Sequence, residues 1–344
     1  MFAELTGNET AKAQLKRLIA GRRVPNALLF AGPEAVGKKM FALELARAFV
    51  CSLPVDGEGC GKCSACLRAG EIVIPNAEKG DEYDRVFFGQ HADVGMVVPY
   101  KRNLRVGSIR ALEREANYRP YEASVRFFIV NDADKMNDSA ANALLKTLEE
   151  PPATTHIVLI SSRPDSLLQT IRSRSQMIRF SPVAANEIEA LLTKKHNFSP
   201  EDARLAARVS GGSIGRAVAL DLEKFRIARD KLFNVVANAA RRRGRAGMLL
   251  IAEQLNDAKN KDDFEDNLAI LETLIHDLWL VASGGNIDDI ANYDIRDQIN
   301  GLGHDLSQTR PAAWLSEIEI MRQNFAVNIN RKIATDALFV KMAA

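Results

Sequence analysis

The chain has four cysteines, Cys51, Cys60, Cys63 and Cys66, and all of them fall in one window with the spacing Cys-x8-Cys-x2-Cys-x2-Cys. Four soft thiolates on short turns suit a tetrahedral zinc site with no open coordination position, so the expected role is structural. Two alternatives stand beside it. A ferredoxin-like cluster begins with the same Cys60-x2-Cys63-x2-Cys66 run, but no fourth cysteine follows at three residues with a proline after it. Reduced, buried thiols are the other.

One helix earlier lies Gly32-Pro-Glu-Ala-Val-Gly-Lys38, a Gly-x4-Gly-Lys loop. Between a strand and a helix, its glycines turn backbone N–H groups toward phosphate oxygens while the lysine adds positive charge. Gly32, Gly37 and Lys38 are therefore candidate nucleotide contacts, with a tight strand-to-helix turn as the plain alternative. The next residue, Lys39, stands where a working loop carries Ser or Thr for magnesium. An ammonium only donates hydrogen bonds and cannot ligate a cation. Ala35 occupies a position where such ATPases usually have another glycine, at a cost of about 1 kcal/mol if φ must be positive there.

A hydrolytic site also needs a carboxylate pair at the end of its third strand, and that segment reads Phe127-Phe-Ile-Val-Asn131-Asp132-Ala-Asp134. In one register Asn131 replaces the magnesium aspartate and Asp132 the glutamate; in the other, Ala133 follows Asp132. Both leave the pair incomplete, so ATP hydrolysis in this pocket is expected to be absent or weak, while nucleotide binding stays open. As a further alternative, Asp132 and Asp134 form a polar strand end that caps the next helix.

Several elements must position these residues. Ala27–Ala31 reads as a buried strand feeding the loop, and Lys38–Val50 as the helix after it. Further strands are expected at Val94–Val98, Val125–Val130, His156–Ser161 and Gln176–Phe180. Helices are expected at Asn8–Ala20, Val106–Tyr118 and Asn137–Glu150. This alternation predicts an α/β domain with a largely parallel sheet over residues 1–181. After Pro182 only helix and turn signals remain, including Ala185–His196, Pro200–Val209 and a long stretch from Leu306 to Met342. The expected division is a small helical domain at 182–220 and a larger one at 221–344. Glu71 to Gln90 reads as an irregular surface insertion.

At 344 residues and a net charge of +2, two or three cores fit, and any contact with DNA should be local rather than a large polyelectrolyte attraction. Neither a leader-like start nor an apolar run of about 18 residues is present, so a soluble cytoplasmic protein without membrane contact is expected. Clustered cysteines in a reducing compartment favour metal over disulfides.

Taken together, Arg23–Pro33, the four-cysteine module, the run Ala140-Ala-Asn-Ala-Leu-Leu-Lys-Thr-Leu-Glu-Glu-Pro-Pro152 and Thr170-Ile-Arg-Ser-Arg-Ser-Gln176 resemble the AAA+ subunits of the bacterial DNA polymerase III clamp loader. The likeness in motifs covers about Phe2 to Ala217. It implies a zinc-bearing AAA+ domain, a helical lid and a helical collar that joins delta and gamma or tau subunits in a ring. It also implies a sliding clamp (beta) and primer-template DNA as partners through that complex. Among such subunits are some that keep the fold and lose their own hydrolysis. Ser173-Arg174-Ser175 matches the family's Ser-Arg-Cys motif with the cysteine changed, which makes Arg174 the expected finger acting on a neighbour's ATP. A surface ion pair is its plain alternative. Gly211-Gly-Ser-Ile-Gly-Arg-Ala217 resembles the second sensor, which would bring Arg216 to a nucleotide.

A hydrolysing gamma/tau-type motor, a nucleotide kinase with a zinc lid and a zinc-dependent nucleic-acid binder are the competing functions. Lys39 and Asn131 oppose the first, the cysteine spacing the second, and the balanced charge the third. Arg241-Arg-Arg243 with Arg245 could touch DNA phosphates, although a basic run at a helix end ordinarily complements the helix dipole. Trp279 and Trp314 read as core or subunit-interface anchors rather than base-stacking platforms.

Overall fold

A computed structural model describes residues 2–21, 24–75, 78–257, 263–325 and 330–344, with Phe325 described by its backbone only. Arg23, the first residue of the Arg23–Pro33 motif, lies outside the described residues. The chain divides into two compact units. One is Met1–Glu187 with Gly212–Gly215, and the other is Ile188–Gly211 with Arg216–Ala344.

The first unit is built on six strands: β1 (Ala27–Ala31), β2 (Phe87–Phe88), β3 (Val94–Val97), β4 (Arg126–Val130), β5 (Thr155–Ser161) and β6 (Gln176–Arg179). They lie in the order β2-β3-β4-β5-β1-β6. Every pairing is parallel except the β2–β3 edge; Leu28 faces both Val158 and Gln176, and Phe127 faces His156. A parallel sheet covered on both faces needs apolar residues at every position, which is why Ala-Leu-Leu-Phe-Ala shows no alternation. Leu28 and Phe30 join one core with Phe41, Leu45, Phe127 and Ile129, while Leu29 joins the other with Leu112, Phe128, Leu144 and Leu159. Full burial of each such side chain contributes roughly 1.5–3 kcal/mol.

Two helices of this unit start on side-chain caps. Asn137 accepts from Ala140 N at the head of Asp138–Glu149, and Cys63 accepts from Cys66 N at the head of Ser64–Ala69. Helices Glu9–Ala20, Lys38–Val50 and Val106–Ala116 complete the layers.

Within the supposed surface insertion Glu71–Gln90, Phe87 and Phe88 form the antiparallel edge strand, and Ile72, Val86 and Phe87 are buried. Residues 76 and 77 of that stretch lie outside the described residues. A two-residue strand is too short to show a period, and its charged flanks hid it.

The second unit is helical. Ser199 caps Pro200–Val209 and Asp221 caps Leu222–Ala240, each through its side-chain oxygen. The long stretch read from Leu306 to Met342 contains two helices, Thr309–Phe325 and Arg331–Met342. Trp314 is buried with Leu271, Leu278, Phe339 and Met342, whereas Trp279 on Phe264–Ala282 is 37% exposed. Among the described residues no helix is long and apolar enough to cross a membrane.

Candidate functional site: phosphate loop, cysteine cluster and surface arginine

The phosphate loop leaves the carboxyl end of β1 and ends at Gly37, the N-cap of Lys38–Val50. Gly32 is irreplaceable: a Cβ there would run into the backbone carbonyl of Phe180. Gly37 has φ 101, a region that side chains avoid, and its carbonyl accepts from Met40 N at 2.8 Å. Ala35 has φ 58, so the position does demand the left-handed conformation and alanine carries the cost of about 1 kcal/mol. The segment Gly212–Gly215 lies across this loop. Ser213 Oγ donates to Glu34 O at 2.7 Å, and Gly215 N donates to Ala35 O at 2.8 Å.

Lys38 is 5% exposed and folded back on its own loop. Its Nζ donates to Gly32 O at 2.5 Å and also to Pro33 O. Burial lowers its pKa, against the opposing charges of Asp132, Glu34 and Asp134. Lys39 is exposed on the first turn of the helix. Asn131, just beyond β4, donates its N–H to Val97 O at 3.0 Å. Asp132 has φ 51 and pairs through Oδ2 with Lys135 Nζ at 3.0 Å.

The carboxylate that the strand end does bury is Asp134. Its Oδ1 accepts from Ser161 Oγ at 2.9 Å and from Ser162 N at 3.0 Å, tying this turn to the end of β5. Burial pushes its pKa up, but those hydrogen bonds and Arg163 outweigh that and hold it below the ordinary range.

The cysteine cluster follows directly. Cys51 caps the end of Lys38–Val50, Cys63 caps Ser64–Ala69, and Cys66 is buried within that short helix. All four Sγ atoms lie within 4.8 Å of one another, and Cys51 Sγ is 3.9 Å from Cys63 Sγ. That is nearly twice the roughly 2.05 Å of a disulfide and close to the about 3.8 Å that a tetrahedral metal–thiolate cage sets between sulfurs. Backbone N–H groups of Leu53, Cys60, Cys63 and Cys66 donate to the sulfurs at 3.2–3.4 Å. The N–H of Cys66 holds the Cys63 thiol down at about 5, whereas burial pushes Cys66 up to about 12. A coordinated cation would ionise the buried thiol as well, so the four residues can hold a metal ion.

The module is tied to the sheet unit on two sides. Glu58 accepts from Phe2 N at 2.9 Å and pairs with Lys16 at 2.8 Å. Arg68 makes a two-pronged pair with Glu122 at 2.8 and 2.6 Å, which holds the Glu122 carboxyl down at about 2.

Arg174 follows the helix Gln169–Ser173 as its C-cap. Its Nη1 donates to Thr170 O at 3.1 Å and its Nη2 pairs with Glu149 at 2.8 Å, the arginine being 36% and the glutamate 50% exposed at the side chain. Ser175, where the motif has cysteine, donates Oγ to Ile171 O at 3.0 Å and so closes the helix end. Arg172 pairs instead with Asp165 at 2.9 Å. Arg216 is exposed on Ile214–Ala219 and is counted with the helical unit.

Sequence reasoning missed a buried network under the other end of the sheet. Arg126 is fully buried; its Nη1 pairs with Glu115 at 3.0 Å and its Nε lies 3.8 Å from Asp93. Asp93, equally buried, accepts from the backbone N–H groups of Tyr121, Glu122 and Ala123 at 2.8–2.9 Å. No local pattern marks these residues, because their partners come from distant segments. A cavity of 730 Å³ was also missed; it sits at the head of Val106–Ala116, away from the phosphate loop, and Lys101, Arg102, Arg105 and Arg110 line it.

A parallel sheet in this order, with a Gly-x4-Gly-Lys loop leaving its β1 strand and a helical unit following, defines an AAA+ domain. The family described as DNA polymerase III, delta subunit, matches residues 7–184. The DNA polymerase III subunit delta' of Bacillus subtilis is 31% identical over 274 residues, covering 79% of this chain and 77% of that protein. Its counterpart of the same name from Escherichia coli K12 is 28% identical over 322 residues, 92% of this chain and 88% of its own length. A gamma/tau subunit of Mycobacterium tuberculosis is 30% identical over 217 residues, which is 62% of this chain but 35% of that larger protein. The chain belongs to the family of DNA polymerase III delta' subunits.

Proposed function

We propose that this chain closes a clamp-loader ring in the cytoplasm, lends Arg174 to ATP held by a neighbouring subunit, and does not hydrolyse ATP itself. The observation that carries this reading is Lys38. A lysine buried onto the carbonyls of Gly32 and Pro33 is not presented to a phosphate, and Lys39 offers no magnesium ligand. Gly32, Gly37, Lys38, Lys39, Asn131 and Asp132 then keep the architecture of a nucleotide pocket without its hydrolytic chemistry, and Arg216 has no hydrolytic site to serve.

The arginine is in a different state. Its ion pair with Glu149 is exposed on both sides, and such pairs contribute about 0–1 kcal/mol, so a γ-phosphate from the next subunit readily displaces the carboxylate. Its planar fork suits a transferring phosphoryl group. The four thiolates, on this reading, hold zinc, which supplies no reaction step and fixes the Cys51–Cys66 turn against the sheet. Delta and gamma or tau subunits are the ring partners, with the sliding clamp and primer-template DNA engaged by the assembly.

Reconstitution with delta and gamma subunits tests this. Arg174→Ala is expected to leave assembly intact and to lower DNA-stimulated ATP turnover and clamp loading, with Arg174→Lys failing to restore them. Unchanged turnover removes the role. Robust magnesium-dependent hydrolysis by the chain alone, abolished by Lys38→Ala, would instead make it a gamma/tau-type motor.

A further inference from the structure

The turn between helices Leu222–Ala240 and Arg245–Leu255 carries the run Arg241-Arg-Arg-Gly-Arg245. Its backbone forms a Schellman closure: Arg243 N donates to Asn238 O at 3.0 Å and Arg242 N to Ala239 O at 3.0 Å. The first residue past the C-cap in such a closure is left-handed; here that residue is Arg242, with φ 51. Glycine or asparagine ordinarily fills this place, so the turn carries backbone strain in order to present an arginine.

The plain reading, a basic run that complements the helix dipole, loses its ground here, because the last carbonyls already have donors. Arg310, from the head of Thr309–Phe325, donates to Ala239 O and Ala240 O at 3.0 Å each, and Arg241 N donates to Ala237 O at 3.2 Å. Burial and the charge of Arg242 lower the pKa of Arg310, which places a further cation beside the turn. Arg241, Arg242, Arg243 and Arg245 are all exposed; among the described residues none pairs with a carboxylate, and Arg245 donates only to Ala343 O at 3.3 Å.

We propose that Arg241, Arg242, Arg243 and Arg245 form a phosphate-binding site for a nucleic-acid backbone on the helical unit. Guanidinium forks without a carboxylate partner match phosphate oxygens two at a time, and the turn offers no apolar side chain to anchor a peptide. That the polyanion is DNA rather than an acidic protein rests on the clamp-loader reading, whereas the cationic turn itself does not. Contacts of this kind position the backbone and read no sequence.

The test uses the full chain, a labelled 30-nucleotide single strand of mixed sequence, and binding measured by anisotropy across a sodium chloride series. Arg241→Ala, Arg242→Gly and Arg243→Ala together are expected to weaken binding at low salt about tenfold or more. They should also lower the slope of log affinity against log salt by about 2, at about 0.7 per phosphate contact for a single strand. Arg242→Gly alone separates the readings, because glycine relieves the left-handed position. It is expected to raise the melting temperature by about 2–4 °C while weakening DNA binding. A higher melting temperature with unchanged affinity and slope would overturn the proposal and leave a solvated helix end. Labelled polyglutamate is measured beside the DNA, and a triple variant that loses polyglutamate binding while keeping DNA binding would overturn the proposal in favour of an acidic protein partner. Ring assembly and turnover with Arg174→Ala are read separately, so failure of the clamp-loader reading is distinguishable from failure of this site.

Discussion

Ala35, Lys38 and Arg174 show how single residues divide the chemistry. Ala35 sits at φ 58 in the place of a glycine, so its strain is a local cost that a glycine in the same loop would not carry. Ala35→Gly is therefore expected to stabilise the protein by about 1 kcal/mol, read as a higher urea midpoint at unchanged slope. It is not expected to produce ATP turnover, since the Lys38 ammonium still faces the carbonyls of Gly32 and Pro33 and Lys39 still lacks an acceptor oxygen. Turnover in that variant would mean that loop conformation, and not the missing ligands, silences the pocket. Arg174 differs in that its present partner is held only by an exposed ion pair, which is what the proposed exchange of Glu149 for a phosphate would require.

Elements were legible where their period was long and their flanks clear. β1 and Lys38–Val50 fall on the residues read from sequence, and the strands β3 to β6 match within a residue or so; β1, β3 and β4 are buried at every position and show as largely apolar runs, whereas the edge strand β6 buries only Ile178. The edge strand β2 and the short helices Ser64–Ala69 and Gln169–Ser173 were not legible, since two to six residues carry no measurable period. The cysteine spacing announced its cluster; the network of Asp93, Arg126 and Glu115 announced nothing, as its members are joined only by the fold. That network makes a strong demand on the loop at Tyr121–Ala123. Asp93→Ala would strip three backbone N–H groups of their acceptor and leave Arg126 buried beside an empty place. A loss of about 3–5 kcal/mol in urea unfolding is expected, with β4 losing protection in hydrogen exchange; a loss under about 1 kcal/mol would mean that water replaces the carboxylate.

At the scale of the whole molecule, the division into a sheet unit and a helical unit separates the reporters as well as the functions. The chain has two tryptophans, Trp279 and Trp314, and both belong to the helical unit. The cysteine cluster belongs to the sheet unit, where Glu58 and Arg68 tie it to Phe2, Lys16 and Glu122. Metal held by four thiolates stabilises only the structure that positions those thiolates. A chelator should therefore remove about one zinc per chain and lower the melting transition of the sheet unit, seen by circular dichroism, by about 5 °C or more. The tryptophan transition should stay where it was, since Trp314 is packed among Leu271, Leu278 and Phe339, all of them in the helical unit. Parallel movement of both signals would show that the units unfold as one cooperative block, and an absence of bound zinc with no change in either would remove the metal from the molecule.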